Sequence, residues 1–303
     1  SHYRSVIMSV DGSVLWEVKG TKRQISFESF VLSVVDEALN AHSGIQIPIL
    51  AMAFSIPGQI NAKEGTIIYS YPFGLRDYHL KDFLKTRYDY PIFIENDANC
   101  AAWLDLHSTL GHDFSSNAVS VVADFHEESK RNDSVVGIGA GFGVIIDGNV
   151  YHGSHDSAGE FCSITWNRGN PNQSGLSAEL LKKTIDDREA LSEWMVDTFS
   201  SLVPFFAIMD FKTVVLHGNP FEDGAWTRKV LEERVPQFMG VLEKIGCDLV
   251  IESKDESVSA KGAAYMYLHY LYSVPGLEDD MSNRRTWGDI VEFLQFQKEE
   301  GRG

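Results

Sequence analysis

Apolar and polar positions follow the period of strands at the start of the chain and then the period of a helix. The run YRSVIMSVDGSVLWEVKG holds two β-rich stretches joined by Asp11-Gly12, which predicts a hairpin. The next run, SFESFVLSVVDEALNAHSG, carries apolar residues at helical spacing. Ser26 can cap the start of this helix, and Gly44 lies where the helix should have ended.

Strands and helices then alternate. IPILAMAFSIPG is a continuous apolar run, which is typical of a buried strand. After it we predict a loop, a helix in LKDFLKTRY, a strand in PIFIE and a helix from NDANCAAWLDLHSTLG. This alternation favours a mixed or parallel sheet with helices on its faces.

The second half repeats this plan. NAVSVVAD and GIGAGFGVII are β-rich, and Asp147-Gly148 predicts a second hairpin. WNRGNPNQSG is a predicted loop and LSAELLKKTI starts a helix. An apolar helix around WMVDTFSSLVPFFAIM, a strand TVVLHG, a helix, a strand CDLVIES and a helix SAKGAAYMYLHYLYSV complete the pattern. The two halves therefore share an order of hairpin first and alternating strands and helices afterwards.

Composition narrows the class of protein. With 303 residues, 44% of them hydrophobic, the chain can form two lobes or one large α/β unit. Its net charge of −17 disfavours direct contact with nucleic acid, because phosphate backbones are repelled. We find no apolar run long enough to span a bilayer and no signal-peptide pattern in SHYRSVIMSV. The three widely spaced cysteines indicate reduced thiols, and we expect a cytoplasmic protein.

A glycine-rich run is the first candidate for chemistry. In GIGAGFG, the alternate residues Gly137, Gly139 and Gly141 would let a backbone approach a ligand and direct N–H groups at phosphate. The alternative is a glycine-rich hairpin strand packed tightly on a neighbour. A strand follows the run where a dinucleotide fingerprint needs a helix, and no Walker Gly-Lys-Ser/Thr follows.

Polar residues at the end of a predicted strand are the second candidate. In IENDAN, Asp97 could act as a general base toward a substrate hydroxyl, as in phosphoryl transfer. The alternative is that Asn96 and Asp97 cap the helix. Farther on, GSHDSAGEF supplies Glu160, whose carboxylate could hold sugar hydroxyls, while we interpret His152 and His155 as solvated loop residues.

Taken in order, these motifs resemble the ROK family, whose name stands for repressor, open reading frame, kinase. The blocks VDGSVLWE, AFSIPGQIN, IFIENDANCAAWLDL, GIGAGFGVIIDGNVYHGSHDSAGEF, TVVLHG and AKGAAYMYL carry the resemblance over nearly the whole chain. It implies an α/β fold of the two-lobed actin-like, ribonuclease-H-like type, with sugar bound between the lobes. We place the N-terminal lobe at 1–97, to which a helix at about 286–300 could return, and the larger lobe at 98–285.

The resemblance also implies roles for single residues. Asn96 and Asp97 match the family's sugar-contacting Asn and catalytic Asp, and Glu160 matches its sugar-binding Glu. Ser163 stands where family kinases carry a His that binds sugar and zinc. Ile138 replaces the Thr of a Gly-Thr-Gly phosphate loop, which removes a hydroxyl.

Several cofactor motifs of the family kinases are absent from this sequence. ITWNRGNPNQSGLSAE replaces the cysteine-rich zinc loop, so we expect no metal. The late Gly-Gly motif of the adenosine side becomes His217-Gly218-Asn219. The chain begins where the family's phosphate-binding Asp-x-Gly-x-Thr loop would be finishing. A sheet without its first strand would expose an edge, so we expect upstream residues.

Two functions fit these motifs. The first is the sugar-sensing effector domain of a transcriptional repressor, with DNA bound only through a region before Ser1, a monosaccharide ligand, no membrane contact and a homodimer by family habit. The second is a sugar kinase that uses ATP and Mg²⁺, with Asp97 as its base. We favour the sensor, because the phosphate-binding features are altered while Asn96, Asp97 and Glu160 are kept. The charged loop at 126–133 resembles an insertion with no assigned role.

Overall fold

The computed structural model describes residues 2–21, 26–45, 47–107, 117–126, 137–170, 172–252 and 255–272. The first hairpin is as predicted: β1 (His2–Met8) pairs antiparallel with β2 (Val14–Thr21). Gly12 lies in the turn with φ of +84°, a conformation that glycine adopts without strain.

The first helix also follows the sequence prediction. α1 (Phe27–His42) begins after Ser26, whose hydroxyl accepts a hydrogen bond from the Ser29 N–H at 3.1 Å. Its apolar side is buried in a cluster with residues from the strands that follow. The cap at Ser26 and the buried face of α1 therefore agree with the sequence prediction.

The stretch after α1 differs from the prediction at two points. β3 (Met52–Ile56) pairs parallel with β7 (Ile92–Asn96), which confirms the predicted strand, but its residues other than Ile56 are only partly buried, so the expectation of complete burial was wrong. The predicted loop is an antiparallel meander of three short strands, followed by the predicted helix. These elements are β4 (Gln59–Asn61), β5 (Thr66–Ser70), β6 (Leu75–Tyr78) and α2 (Leu80–Lys85).

The second half is organised around a five-stranded sheet with the order β10-β9-β8-β11-β12. β8 is antiparallel to β9 and parallel to β11, and β10 closes the second predicted hairpin. The strands are β8 (Ala118–His126), β9 (Gly137–Ile146), β10 (Asn149–Val150), β11 (Thr213–His217) and β12 (Asp248–Ile251).

Helices cover this sheet. The helix predicted between β11 and β12 is two helices, because Pro236 starts a new one after Val235. The helices are α3 (Asp97–His107), α4 (Ala178–Lys183), α5 (Arg188–Met209), α6 (Gly224–Arg234), α7 (Pro236–Ile245) and α8 (Val258–Tyr272).

The described residues form three hydrophobic clusters. One joins α1 and α2 to β3, β5 and β7, and a second joins β8, β9 and β11 to α5, α6 and α7. The third includes Ala102 and Trp103 of α3 and Met266 of α8. α8 contacts α3 and also β1, β3 and β7. The lobe division at 97/98 stays a prediction, and the expected helix at 286–300 lies outside the described residues, as does most of the charged loop at 126–133.

Candidate functional site

The carboxyl end of β7 runs directly into α3, and Asn96 sits at the junction. Its side-chain Oδ1 accepts hydrogen bonds from the N–H groups of Ala98 at 2.9 Å and Asn99 at 3.2 Å. Its Nδ2 donates to the Gly58 carbonyl at 2.7 Å. Asn96 therefore caps α3, and this bonding fixes the end of β7 against the loop that follows β3.

Asp97 is the first residue of α3 and is half-buried. Its Oδ1 accepts a hydrogen bond from the Ala98 N–H at 3.0 Å. Burial, followed by the negative charge of Asp124 on β8, raises the pKa of Asp97 to about 6. A carboxyl group with that pKa can take up a proton near neutral pH, and it can also accept hydrogen bonds from sugar hydroxyls.

Glu160 lies at the end of the loop that follows β10, and the structure brings it near Asp97. Partial desolvation, followed by the charge on Asp97, raises the pKa of the Glu160 carboxyl. Gly159 before it has φ of +84°, and a Cβ there would lie 1.7 Å from the Phe142 carbonyl oxygen. Only glycine fits at that close approach, so the glycine holds Glu160 beside β9.

The loop carrying Glu160 is tied to residues of β7 and β4 by side-chain hydrogen bonds. His152 Nε2 lies 2.6 Å from Glu95 Oε2, and Glu95 is completely buried. Gln59 donates from Nε2 to the His155 carbonyl at 2.8 Å and to Ser157 Oγ at 2.7 Å. The loop is therefore anchored on the β7–α3 junction that carries the sugar-site candidates.

The interpretation of His152 as a solvated loop residue was wrong. Its ring bonds to Glu95, and this hydrogen bond raises the pKa of His152 although burial lowers it. Glu95 also accepts hydrogen bonds from the Asn96 N–H at 2.7 Å and from Asn99 Nδ2 at 3.0 Å. His155, in contrast, is exposed, as expected.

Ser163 is buried, but its side chain belongs to a different network. Its hydroxyl lies 2.7 Å from Thr165 Oγ1 and accepts the Thr165 N–H at 3.1 Å. Thr165 donates in turn to Asp197 of α5 at 2.5 Å. The structure thus does not bring the Ser163 hydroxyl into hydrogen-bond contact with the described side chains of Asn96, Asp97 or Glu160.

The glycines of β9 pack closely on two helices. A Cβ at Gly137 would lie 2.3 Å from the Leu181 carbonyl oxygen, and one at Gly141 would lie 3.0 Å from the Ala98 Cβ. Gly139 is in register with Asp124 in the antiparallel pair β8–β9. The packing explanation therefore holds for Gly137 and Gly141, while phosphate binding by these glycines stays a prediction.

Asp124 is a member of the site that sequence patterns did not reveal. It lies on β8, its carboxyl pKa is raised mainly by burial, and its charge acts on Asp97. Asp97 is therefore within electrostatic range of two other carboxylates, those of Asp124 and Glu160. This concentration of negative charge disfavours a bare phosphate and suits hydroxyl donors.

His217, in the sequence that departs from the family's Gly-Gly motif, is buried in a polar cluster. Its Nε2 lies 2.9 Å from Asp105 Oδ2 of α3, and its Nδ1 lies 3.2 Å from the Glu252 carbonyl. Ser120 of β8 donates to the same Asp105 oxygen at 2.5 Å. The cluster ties α3 to β8 and β11 and to the residue that follows β12.

In the ranges that the structure describes, no three His, Cys, Asp or Glu side chains are arranged to hold a metal ion. None of the described helices is long and apolar enough to cross a membrane.

Comparison with known proteins identifies both a kinase and a repressor among the relatives of this chain. The model of the ROK family matches residues 3–175, more than half of the chain. A glucokinase of Halalkalibacterium halodurans is 27% identical over 152 residues, which are 50% of this chain and 42% of the glucokinase. A putative xylose repressor of Caldicellulosiruptor sp. is 28% identical over 165 residues, which are 53% of this chain and 38% of that protein. The chain thus spans less than half the length of either relative.

The fold is shared with solved structures. A ROK family transcriptional regulator, described as a homolog of the E. coli MLC protein, matches with a TM-score of 0.64 at 14% identity, covering 89% of this chain and 76% of that one. Kinases of the family are structural neighbours as well. These likenesses confirm the predicted actin-like sugar-kinase fold.

Proposed function

Since this chain belongs to the ROK family, we propose that it is the sugar-sensing effector domain of a transcriptional regulator, which binds a monosaccharide beside Asn96, Asp97 and Glu160. The observation that carries the proposal is the docking of the Glu160 loop on the start of α3. Through that docking, the carboxylates of Asp97 and Glu160 come within electrostatic range although they are far apart in sequence.

The chemistry of these groups suits a neutral polyol. Carboxylates accept hydrogen bonds from paired hydroxyls, and desolvation raises the pKa values of both Asp97 and Glu160. Asp124 adds negative charge next to the glycine strand, which weighs against a nucleotide phosphate there. Ile138, on the same strand, supplies no hydroxyl.

Regulation in this proposal is a change in the relative population of two states. A sugar that binds one arrangement of the two lobes more tightly than the other shifts the protein toward that arrangement. In the whole protein, a homodimer would pass this shift to a DNA-binding region outside the chain. The xylose repressor among the relatives makes D-xylose the first sugar to test, followed by D-glucose.

A thermal-shift assay with a panel of unphosphorylated pentoses and hexoses tests the proposal. A ligand should raise the melting temperature of this chain, because it binds only the folded state. Asp97→Ala should abolish the shift, whereas Asp89→Ala should keep it, because Asp89 is exposed and lies outside the site. If no sugar shifts the unaltered protein, the proposal fails.

A second candidate is an ATP-dependent sugar kinase, and one observation favours it. The pKa of Asp97 near 6 is close to what a general base needs at neutral pH. In that case Asp97 would take the proton of the sugar hydroxyl, ATP and Mg²⁺ would be required, and sugar would accelerate ADP formation. A lack of nucleotide binding by the whole protein would exclude this candidate.

A further inference from the structure

The edge of β9 that faces away from β8 is covered by another described strand only near its end. On that edge, β10 pairs with Ile145 and Ile146. In an antiparallel strand, alternate residues direct both the N–H and the C=O group toward the same edge. Ala140 and Phe142, two positions apart, use the part of the edge that β10 leaves uncovered, because their N–H groups bond to residues outside the described strands.

The side chain of Gln173 pairs with Ala140 as the backbone of a neighbouring strand would. Its Oε1 accepts a hydrogen bond from the Ala140 N–H at 2.9 Å, and its Nε2 donates to the Ala140 carbonyl at 2.7 Å. A primary amide carries a donor and an acceptor, as a peptide group does, so one side chain satisfies both backbone groups of Ala140. Ala140 is buried, and a buried N–H or C=O group without a partner would destabilise the fold.

The backbone of Gln173 also holds the turn that carries Glu160. The Gln173 carbonyl accepts a hydrogen bond from the Ser163 N–H at 2.8 Å, and the Gly159 carbonyl accepts one from the Phe142 N–H at 3.3 Å. Only Glu160 and the two residues after it lie between these two anchors. The turn is therefore attached to β9 on both sides of Glu160, directly through Gly159 and indirectly through Gln173.

Asp197 of α5 fixes the segment that contains Gln173. Its Oδ1 accepts a hydrogen bond from Thr165 Oγ1 at 2.5 Å, and its Oδ2 accepts one from Ser174 Oγ at 2.6 Å. Thr165 Oγ1 in turn accepts the Gly175 N–H at 3.0 Å, which closes the segment on itself. Asp197 is buried, and each of its carboxylate oxygens accepts a hydroxyl group. One carboxylate therefore joins both ends of the segment to α5.

We propose that Gln173 is a positioning residue for the candidate sugar site and that it holds Glu160 near Asp97 by pairing with the edge of β9. The inference rests on the proposed sugar-binding function, because it gives Gln173 a role in that binding. Both polar atoms of the Gln173 amide bond to Ala140, so Gln173 acts on the sugar through Glu160 and not by direct contact. The charge of Asp97 acts on Glu160, so a displaced turn would separate two carboxylates that the sugar meets together.

Two variants of Gln173 separate hydrogen bonding from packing. Gln173→Met keeps the length of the side chain and removes its polar groups, whereas Gln173→Glu has a donor for the Ala140 carbonyl only when its carboxyl is protonated. Gln237→Ala is the matched control, because Gln237 is exposed on α7. For each protein we would measure binding of D-xylose and D-glucose by calorimetry, the pKa of Glu160 by NMR titration without sugar, and hydrogen exchange of the Ala140 amide.

Gln173→Met should weaken sugar binding about 10-fold, lower the pKa of Glu160 toward its ordinary value of 4.5 and speed exchange of the Ala140 amide. Gln173→Glu should behave in the same way at pH 7.5. Relative to the unaltered protein at the same pH, it should recover part of its affinity at pH 5, where its carboxyl takes up a proton. Gln237→Ala should match the unaltered protein in all three measurements.

A Gln173→Met protein that is less stable but keeps its sugar affinity and its Glu160 pKa would overturn the inference, because Gln173 would then only stabilise the fold. Equal affinity of Gln173→Glu relative to the unaltered protein at pH 7.5 and pH 5 would overturn it as well. If the unaltered protein binds neither sugar, the proposed function fails for these sugars. The pKa of Glu160 is measured without sugar, so it still decides whether Gln173 positions this carboxyl.

Discussion

Glu95 and His152 form a 2.6 Å hydrogen bond that joins the buried end of β7 to the loop carrying Glu160. Glu95 is fully buried, whereas the His152 side chain is 25% exposed. The pair connects residues that are 57 positions apart and that lie in different predicted lobes. It is therefore a positioning contact for the candidate sugar site, which neither residue has to touch.

Replacing His152 tests this positioning role. His152→Ala should weaken monosaccharide binding about 10-fold and destabilise the fold by about 1–3 kcal/mol, because Glu95 loses a partner in a buried position. His152→Gln should recover part of both, since an amide can still donate to Glu95. His155→Ala is the matched control on the same loop and should change stability by less than about 0.5 kcal/mol. Equal losses in the His152 and His155 variants would contradict the role.

The same pair predicts a pH dependence. The Glu95 hydrogen bond raises the pKa of His152, so the protonated form is favoured in the folded state. The stabilisation of the fold by protonated His152 is fully present below pH 6.5, the ordinary pKa of histidine. It is lost as the pH rises through the raised pKa that His152 has in the folded protein. Sugar affinity should fall over the same range in the wild-type protein, and this component should be absent from His152→Gln when both are titrated calorimetrically.

The raised pKa of Asp97 should also make the stability of the fold depend on pH, independently of His152. Its pKa rises from 3.8 to about 6 on folding, so keeping it ionised destabilises the folded state above pH 6, and this cost disappears below pH 3.8. Asp97→Asn should therefore raise the free energy of unfolding at pH 7.5, by at most about 3 kcal/mol, while abolishing sugar binding. Urea unfolding at pH 7.5 and pH 4 measures this, and an equal gain at both values would show that the carboxylate is not the cause.

The close packing of β9 on α3 can be tested with one glycine of that strand. A Cβ at Gly143 would lie 2.3 Å from the Ala98 carbonyl oxygen and 2.6 Å from the Ala102 Cβ, so Gly143→Ala should destabilise the fold by about 1–3 kcal/mol or more. Gly240 in α7 has no neighbour within 4 Å of the same atom. Gly240→Ala should therefore stabilise the protein by up to about 1 kcal/mol through helix propensity. Denaturant midpoints that move in the same direction for both would contradict this packing.

The buried Asp105–His217 pair should matter more than an exposed pair. Asp105→Ala leaves His217 and Ser120 without their shared acceptor and should cost about 3–5 kcal/mol. The exposed Lys229–Glu233 pair of α6, at 3.9 Å, gives the comparison, and Lys229→Ala should cost less than about 0.5 kcal/mol. Chemical denaturation measures both, and a cost below 1 kcal/mol for Asp105→Ala would refute the importance of the cluster.

Local patterns predicted the elements that carry clear turn, cap or periodicity signals and missed the three short strands of one meander. The hairpin at Asp11-Gly12 and the helix after Ser26 carry strong turn, cap and periodicity signals, and both are confirmed. The meander from 59 to 78 was missed because its strands have three to five residues and are separated by turns with glycine at positive φ, such as Gly65 and Gly74. Such short runs give no periodicity to detect.

The candidate site could be predicted only where a motif marks it. Asn96, Asp97 and Glu160 were found because they match motifs of the family. Glu95 and His152 gave no such signal, since their interaction joins distant segments and depends on how the loop docks. Asp124 was missed for the same reason: its effect on Asp97 arises from the pairing of β8 in the sheet, which a local sequence pattern cannot reveal.

Isothermal titration of this protein with D-xylose, D-glucose and related sugars, with ADP release followed in the presence of MgATP, distinguishes a sugar sensor from a sugar kinase. We expect saturable binding of at least one unphosphorylated sugar, loss of that binding in Asp97→Ala and Glu160→Gln, and no sugar-dependent ADP release. Sugar-dependent ADP release that disappears in Asp97→Ala would identify a kinase instead. Absence of binding to every sugar would contradict a sugar sensor altogether.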